Sequence, residues 1–172
     1  MEKTRLFIDL VPRSAWFSNL RSELTAPEWD LVRKKTYRLA GFVCQACGGK
    51  GPAHPVECHE RWTFSDAEAV QTLAGVVALC PACHEATHYG LARVRGREAF
   101  ARAQLLRVNG WSVSQLNTHV NDAMDTYQRR SEIPWTLDAR WLLDYVALSE
   151  ATQERILAHA AKLRASPIAG GQ

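Results

Sequence analysis

Apolar residues recur at helical spacing between residues 26 and 40, ahead of the first cysteine. Thr25, followed three residues later by Glu28, matches a capping box, a pair that satisfies free backbone N–H groups at the start of a helix. Steps of three and four place four residues on one face of such a helix: Trp29, Val32, Thr36 and Leu39. The pattern therefore predicts an amphipathic helix over 26–40 that ends at Gly41.

The same spacing returns after residue 90 and continues almost to the end of the chain. One helical segment is expected to stop at Asn109-Gly110, because Gly is typical of helix ends. A longer amphipathic helix is predicted over 115–129, and Pro134 interrupts the pattern. Two further helices are predicted, one around Trp141–Tyr145 and one after Ser149. The C-terminal half is therefore expected to be helical.

The segment between these helical regions differs, because Cys, Gly, Pro and His concentrate over 41–90. Val56–Phe64 and Val70–Leu79 have the composition of strands. Pro81 suits the first turn of a helix. Two strands followed by a helix are expected here. Near the N-terminus, residues 5–12 are expected to form a short strand or an extended lead-in.

Composition places the chain in the ordinary globular class, since 47% of its 172 residues are hydrophobic and 23% are charged. No run approaches the roughly 18 uninterrupted apolar residues of a membrane span. The segment Met1–Arg5 lacks the apolar region of a signal peptide. We therefore expect a cytoplasmic protein without a membrane partner. The formal net charge of +3 is too small to indicate a nucleic-acid partner by itself.

The five cysteines change this picture, because an odd number of thiols in a reducing compartment does not favour a disulfide framework. Two Cys-x-x-Cys pairs stand 32 residues apart, Cys44 with Cys47 and Cys80 with Cys83. Four thiolates satisfy the tetrahedral coordination of zinc without another ligand. We predict a structural Zn²⁺ site; the alternative is a set of buried free thiols.

Four of the six histidines lie in the same segment, at positions 54, 59, 84 and 88. His84 and His88 are four residues apart on the predicted helix, so both project from one face and can bind one ion. His59 lies on the first predicted strand, and a histidine beside a metal can activate water. For His84 and His88 the alternative is an exposed helix face; for His59 it is a structural histidine or an extra zinc ligand.

The order of these motifs resembles the HNH endonuclease superfamily, the ββα-metal nucleases, in its zinc-stapled form. The likeness covers residues 38–90 and consists of a Cys-x-x-Cys pair, a strand with His59, and Leu79-Cys80-Pro81-Ala82-Cys83-His84 followed by His88. It implies a two-stranded ribbon followed by a helix that together hold one divalent ion. It also implies hydrolysis of DNA phosphodiester bonds, with a histidine of the first strand as general base.

The resemblance assigns His59 as the general base and His84 and His88 as ligands of the catalytic ion. Cys58 falls where the family places a ligand just before the base. Strand alternation puts Glu57 on the face of His59, where it could orient the imidazole, and is expected to point Glu60 to the other side with Cys58. An alternative register makes His59 the ligand and Glu60 the proton acceptor or water-positioning group. The thiol of Cys58 favours a transition metal, so Zn²⁺, Ni²⁺, Mn²⁺ and Mg²⁺ all stay open as the catalytic cofactor.

The chain departs from the family at one further position, since it has no Asn between Asn19 and Asn109. The resemblance assigns a middle Asn to hold a loop by hydrogen bonds. Gln71 or Thr72 would have to orient the loop instead.

Arginines are concentrated directly after the HNH-like segment. Residues 90–107 contain five arginines and a single acidic residue, Glu98. Such side chains neutralise phosphates and provide salt-dependent affinity. We predict contacts to double-stranded DNA from four of them: Arg93, Arg95, Arg97 and Arg102. The alternatives are a solvated basic face here, and a phosphate-contacting stripe on the helix over 26–40.

The predicted fold class is α+β, with a ββα-metal core and a four-cysteine zinc staple, flanked by an N-terminal helix and a helical C-terminal half. Four segments are expected: an extension with its helix (1–40), the HNH-like module (41–92), the helical region (93–166) and a flexible tail (167–172). The helices after residue 97 are either a homodimer surface or a lid on the core.

Three functions compete at this point. The favoured one is a metal-dependent HNH-type endonuclease acting on DNA. The second is a catalytically silent zinc module that binds nucleic acid, and the third is a zinc-stabilised protein-interaction adaptor.

Overall fold

The structure, a computed structural model, describes residues 5–15 and 20–165 of the chain. It is a mixed α+β fold. After a short 3-10 turn at Arg13–Ala15, the elements in chain order are α1 (Leu20–Glu23), α2 (Ala26–Leu39), β1 (Glu57–Ser65), β2 (Val70–Leu79), α3 (Pro81–Thr87), α4 (Tyr89–Val94), α5 (Glu98–Asn109), α6 (Val113–Ser131), β3 (Thr136–Asp138), α7 (Trp141–Tyr145) and α8 (Glu150–Ala165). The predicted tail, 167–172, lies outside the described residues.

Local sequence signals explain the helix boundaries. The predicted capping box of α2 is confirmed, because Thr25 accepts from the backbone of Glu28, whose side chain accepts from the backbone of Thr25. Ser112 and Gln115 form a second box, which starts α6 two residues before the predicted bound. Gly110 ends α5 with φ 65°, a left-handed conformation that costs glycine little.

Strands β1 and β2 form an antiparallel hairpin, as predicted, with Glu57 opposite Leu79 and Ser65 opposite Val70. The register shifts by one residue between Arg61 and Trp62, where β2 bulges. The sequence did not predict β3, which pairs in parallel with the start of β2. The sheet therefore has three strands in the order β1-β2-β3 instead of the expected two-stranded ribbon.

This third strand corrects the expectation for Gln71 and Thr72. Both residues belong to β2 and pair with β1 on one side and β3 on the other. They contribute to the ladder and not to a loop. They therefore do not replace the absent Asn.

Hydrophobic residues cover both faces of the hairpin. One cluster joins the β2 residues Val77 and Leu79 to the N-terminal segment and to the helices from α3 to α6. The other joins Leu73 to α2, α7 and α8. Residues 5–12 are extended rather than a strand, and Leu6 and Ile8 are buried in the first cluster. Each cluster therefore includes residues from several of the predicted segments.

Within the described ranges, no helix is both long enough and apolar enough to cross a membrane.

Candidate metal centres

The four cysteines of the two Cys-x-x-Cys pairs lie together, as predicted. Their Sγ atoms all lie within 4.8 Å of one another; the four residues are Cys44, Cys47, Cys80 and Cys83. Cys44 and Cys47 belong to the loop before β1, whereas Cys80 is the N-cap of α3 and Cys83 lies in its first turn. The start of α3 thus brings the second pair to the first.

Backbone hydrogen bonds shape the first pair. The N–H of Gly48 donates to the carbonyl of Cys44 at 2.8 Å, and the N–H of Cys44 donates to the carbonyl of Gly49 at 2.9 Å. Gln45 fixes this turn to β2, because it exchanges two hydrogen bonds with the backbone of Ala78, at 2.9 and 2.8 Å. The hairpin therefore holds both pairs in one place.

The sulfur geometry suits a tetrahedral ion. Sγ of Cys47 and Sγ of Cys80 are 3.7 Å apart, and zinc–sulfur bonds of about 2.3 Å give a tetrahedron with edges of about 3.8 Å. The contact with Cys83 lowers the pKa of Cys44, and the same contact together with burial raises the pKa of Cys83. One thiol is thus favoured as a thiolate by its neighbours. The cluster could bind a structural metal such as zinc.

A second cluster consists of three histidines, His59 from β1 and His84 and His88 from α3 and its C-cap. One ring nitrogen of each lies within 4.8 Å of the other two, so the three could hold a metal ion. The Nε2 atoms of His84 and His88 are 3.2 Å apart. Zinc–nitrogen bonds of about 2.0–2.1 Å give tetrahedral edges of about 3.3–3.4 Å, so this separation suits two ligands of one ion.

The burial of these rings differs. Only 3% of His59 is exposed, whereas His84 and His88 are half-buried. Burial, followed by the neighbouring His59 and His84, lowers the pKa of His88 to about 4. His88 is therefore a neutral imidazole at neutral pH, the form that binds a metal.

Carboxylates contact one ring nitrogen of His59 and one of His84. Glu57 forms an ion pair with Nδ1 of His84, and its other oxygen contacts Nε2 of His54 at 2.7 Å. Oδ2 of Asp9 lies 3.3 Å from Nε2 of His59. Such contacts orient metal-binding imidazoles in known metal sites.

One ring nitrogen of this cluster lacks a contact. Nδ1 of His59 is buried and has no hydrogen-bond partner among the described residues. Leaving a buried polar atom unpaired is costly, so such an atom calls for an explanation. A metal ion would supply one, and the donor set of three imidazoles fits a zinc-type cation.

The position of Cys58 differs from the sequence prediction, which placed its thiol among the ligands of the catalytic ion. Its thiol lies on the opposite face of β1 from His59, in the cluster with α2, where it donates to Oγ1 of Thr36 at 3.6 Å. Burial raises the pKa of Cys58 to about 12, so the thiol stays protonated at neutral pH. The structure therefore does not bring Cys58 to His84 and His88, because successive strand residues point to opposite faces.

Glu57 and Glu60 lie on opposite faces of β1, as strand alternation requires. Glu60 shares the face of β1 with Cys58, and the two groups interact electrostatically. It therefore does not reach the histidine cluster. Glu57 lies on the correct face but contacts His84 rather than the ring of His59.

Asp9 was missed by sequence reasoning. It stands 50 residues before His59, in a segment whose apolar residues predicted only an extended lead-in. A single carboxylate in such a segment gives no signal of metal chemistry. Only the packing of residues 5–12 against α3 brings it to His59.

A cleft of about 840 Å³ begins beside the histidine cluster, where Asp9 and His88 form part of its wall. Its other walls come from the N-terminal segment, α4, the start of α5, and α6. Most of these walls are apolar, and Arg93 contributes a cation that pairs with Glu98 in the same wall. A substrate placed in this cleft would lie next to His88.

The predicted DNA-contacting arginines lie in and around α4 and α5, and three of them have internal partners. Nε of Arg93 is 3.4 Å from Glu98, Nη2 of Arg97 donates to Glu85 at 2.9 Å, and Nη1 of Arg102 donates to the Tyr89 hydroxyl at 3.3 Å. Arg93, Arg95 and Arg97 are exposed. DNA contact by these side chains stays a prediction.

Against known proteins, no family model matches the chain, and no curated protein or solved structure matches it either. The likeness to HNH nucleases therefore rests on the residues and distances given above.

Proposed function

We propose that this protein is a metal-dependent endonuclease of the HNH type that hydrolyses phosphodiester bonds in double-stranded DNA. One observation carries the proposal, the meeting of His59, His84 and His88 within 4.8 Å of one another. The order of elements supports it, since an antiparallel hairpin and the helix that follows provide all three rings.

In this proposal the three histidines hold the catalytic divalent ion, and the four cysteines hold a structural zinc. A divalent ion in such a site supplies Lewis-acid stabilisation of phosphate charge and lowers the pKa of water. Three protein ligands leave room for a further ligand, which is typical of catalytic rather than structural zinc sites.

His59 is assigned as a ligand rather than as the general base. A base has to reach the water whose proton it takes, and only 3% of His59 is exposed. Its unpaired Nδ1 suits a bond to an ion. This assignment corresponds to the alternative register considered from the sequence, although Glu60 does not take the second role in that register because it lies on the other face of β1.

The neighbouring cleft is assigned to the DNA. His88 lies on its wall, so a phosphodiester in the cleft would reach the histidine cluster. Arg95 is exposed beside this cleft and offers a cation to the phosphate, whereas Arg93 and Arg97 would have to exchange their contacts with Glu98 and Glu85 for contacts with DNA. Such contacts position a backbone without reading its sequence.

The test is nicking of supercoiled plasmid by protein given Mg²⁺, Mn²⁺, Ni²⁺, Co²⁺ or Zn²⁺ singly. We expect the wild type to nick DNA with at least one of these ions, and His59→Ala to lose activity by about 100-fold or more, because a metal ligand is gone. Cys58→Ala is the matched control, since residue 58 is adjacent in sequence but lies on the opposite face of β1. It should retain most of the activity.

Equal activity of wild type and His59→Ala, or no cleavage with any ion on several forms of DNA, would exclude the nuclease. DNA binding without cleavage would instead favour a silent nucleic-acid-binding module.

A further inference from the structure

The N-terminal segment delivers one carboxylate to the histidine cluster from outside the hairpin and α3. Oδ2 of Asp9 is 3.3 Å from Nε2 of His59, and only 18% of the Asp9 side chain is exposed. The other ring nitrogen of His59, Nδ1, is the buried atom without a hydrogen-bond partner. Asp9 therefore contacts one side of a ring whose other side is unpaired.

Several contacts fix the position of Asp9. Its backbone N–H donates to the carbonyl of Thr87 at 2.9 Å, one residue before His88. The preceding N–H, of Ile8, donates to Nε2 of His119 on α6 at 3.0 Å. At the start of the segment, Asn109 accepts from the N–H of Leu6 and donates to its carbonyl, at 3.0 and 2.6 Å.

These contacts make Asp9 a preorganised partner. α3, α5 and α6 hold the backbone at Asp9 and just before it, so little conformational freedom of the segment has to be lost when an ion binds. A carboxylate can only accept, so the proton of its hydrogen bond to the imidazole must lie on Nε2. In a neutral ring the lone pair is then on Nδ1.

We propose that Asp9 is a positioning residue of the histidine site: it accepts a hydrogen bond from Nε2–H of His59 and so leaves Nδ1 of that ring to bind the ion. The inference rests on the metal site of the proposed function but not on DNA cleavage. Glu57 repeats the arrangement on His84, where it holds Nδ1 while Nε2 faces His88. Two of the three rings are thus oriented by carboxylates from different parts of the chain.

Loss of such an outer contact typically lowers metal affinity about 10- to 100-fold, because the ring then samples other tautomers and orientations. Asp9→Ala removes the acceptor. Asp9→Asn keeps an oxygen acceptor without the charge and should lose less. Asp122→Asn is the matched control, since it removes a negative charge from the small cleft that Asp9 also lines.

The experiment titrates Co²⁺ into protein that retains one zinc equivalent, and follows the cobalt absorption bands in competition with a chelator. We expect Asp9→Ala to weaken this second ion about 10-fold or more, with Asp9→Asn intermediate and Asp122→Asn unchanged. Equal affinity of Asp9→Ala and wild type, or an equal loss in Asp122→Asn, would overturn the proposal. A wild type that binds no second ion would also overturn it.

A second readout reports the tautomer itself. Long-range ¹H–¹⁵N NMR spectra of the Zn²⁺-loaded wild type should show His59 bound through Nδ1 and protonated at Nε2. Coordination through Nε2 would refute the role given to Asp9 even if affinity fell. If these spectra and affinities hold while no DNA is cut, the nuclease fails and the assignment of Asp9 stands.

Discussion

The cysteine cluster and the histidine cluster share one helix but differ in how they are built. Both take residues from α3, with Cys80 and Cys83 at its start and His84 and His88 further along. The cysteines come from two local pairs and place four sulfur atoms together. The histidines form a set of three from β1 and α3, and a carboxylate from the distant N-terminal segment contacts one of them.

This difference separates two kinds of metal site. A closed set of four thiols leaves no position for a substrate, which is typical of structural zinc. A set of three imidazoles leaves one position of a tetrahedral ion open, and here the set lies beside a cleft of about 840 Å³. The two sites should therefore respond differently when a ligand or the metal is removed.

The largest expected effect is on the cysteine cluster. Structural zinc supplies about 10–16 kcal/mol of binding energy in small zinc modules, which exceeds or equals the total stability of most domains, about 5–15 kcal/mol. We expect Cys83→Ser to abolish zinc retention and cooperative unfolding, as measured by metal content and thermal circular dichroism. Cys58→Ser is the control and should keep one zinc equivalent. Retained zinc and fold in Cys83→Ser would contradict the structural role.

Selective metal removal should separate the two clusters. A chelator of moderate strength should strip the ion from the histidine site first, because three imidazoles bind zinc less tightly than four thiolates. The protein should keep its fold and one zinc at that stage, and a stronger chelator should then unfold it. Metal content and circular dichroism along one titration measure both steps. Loss of both ions in a single step with unfolding would show that the sites do not differ as argued.

A smaller effect is expected at the contact between Glu57 and His84. Glu57→Gln should weaken the ion of the histidine site about 10-fold, since the amide still contacts the ring but lacks the charge. Zinc retention at the cysteines should be unchanged. Isothermal titration of Co²⁺ into protein that holds one zinc measures this difference. No change in affinity would show that Glu57 does not orient the ring.

The buried thiol of Cys58, which belongs to neither metal site, should make the stability of the fold depend on pH. A buried thiol with a pKa raised to about 12 stabilises the fold fully below the unfolded pKa of about 8.5, and this contribution is lost as pH rises towards 12. At pH 7 we expect Cys58→Ala to be about 1 kcal/mol less stable than wild type. That difference should shrink or reverse between about pH 8.5 and 10.5 in urea unfolding. A constant difference over this range would contradict the burial of a neutral thiol.

The smallest effect concerns the basic surface near the cleft. Arg95→Ala should weaken DNA binding modestly and lower the salt dependence by about one ion, whereas Lys34→Ala on α2 should change neither. Lys34 is a suitable control because it lies on α2, away from Arg95, and pairs there with Asp30 at 3.1 Å. Binding isotherms at two salt concentrations measure both quantities. If Lys34→Ala weakened DNA binding and Arg95→Ala did not, the DNA contact would lie on α2 instead.

Much of the secondary structure follows from local signals. The capping box at Thr25 and the glycine after Asn109 set helix ends within a residue, and β2 begins and ends where its apolar run predicted. β3 was missed because three residues after Pro134 are too few to show a strand pattern. It forms because the start of β2 offers it a parallel partner.

The sequence by itself determined each Cys-x-x-Cys pair and the pairing of His84 with His88. In each case the ligands are close along the chain, so turn and helix geometry places them together. Strand alternation also separates Cys58 from His59, although the likeness to a family placed them at one site.

The tertiary structure decided what completes the histidine site. His59 meets α3 only because β1 folds back on β2 and α3 packs beside the hairpin. Asp9 meets His59 only because α3, α5 and α6 fix the N-terminal segment. The contacts of the N-terminal segment span 50 residues or more, and those of His59 with α3 depend on packing between elements, which local patterns of polar and apolar residues do not encode.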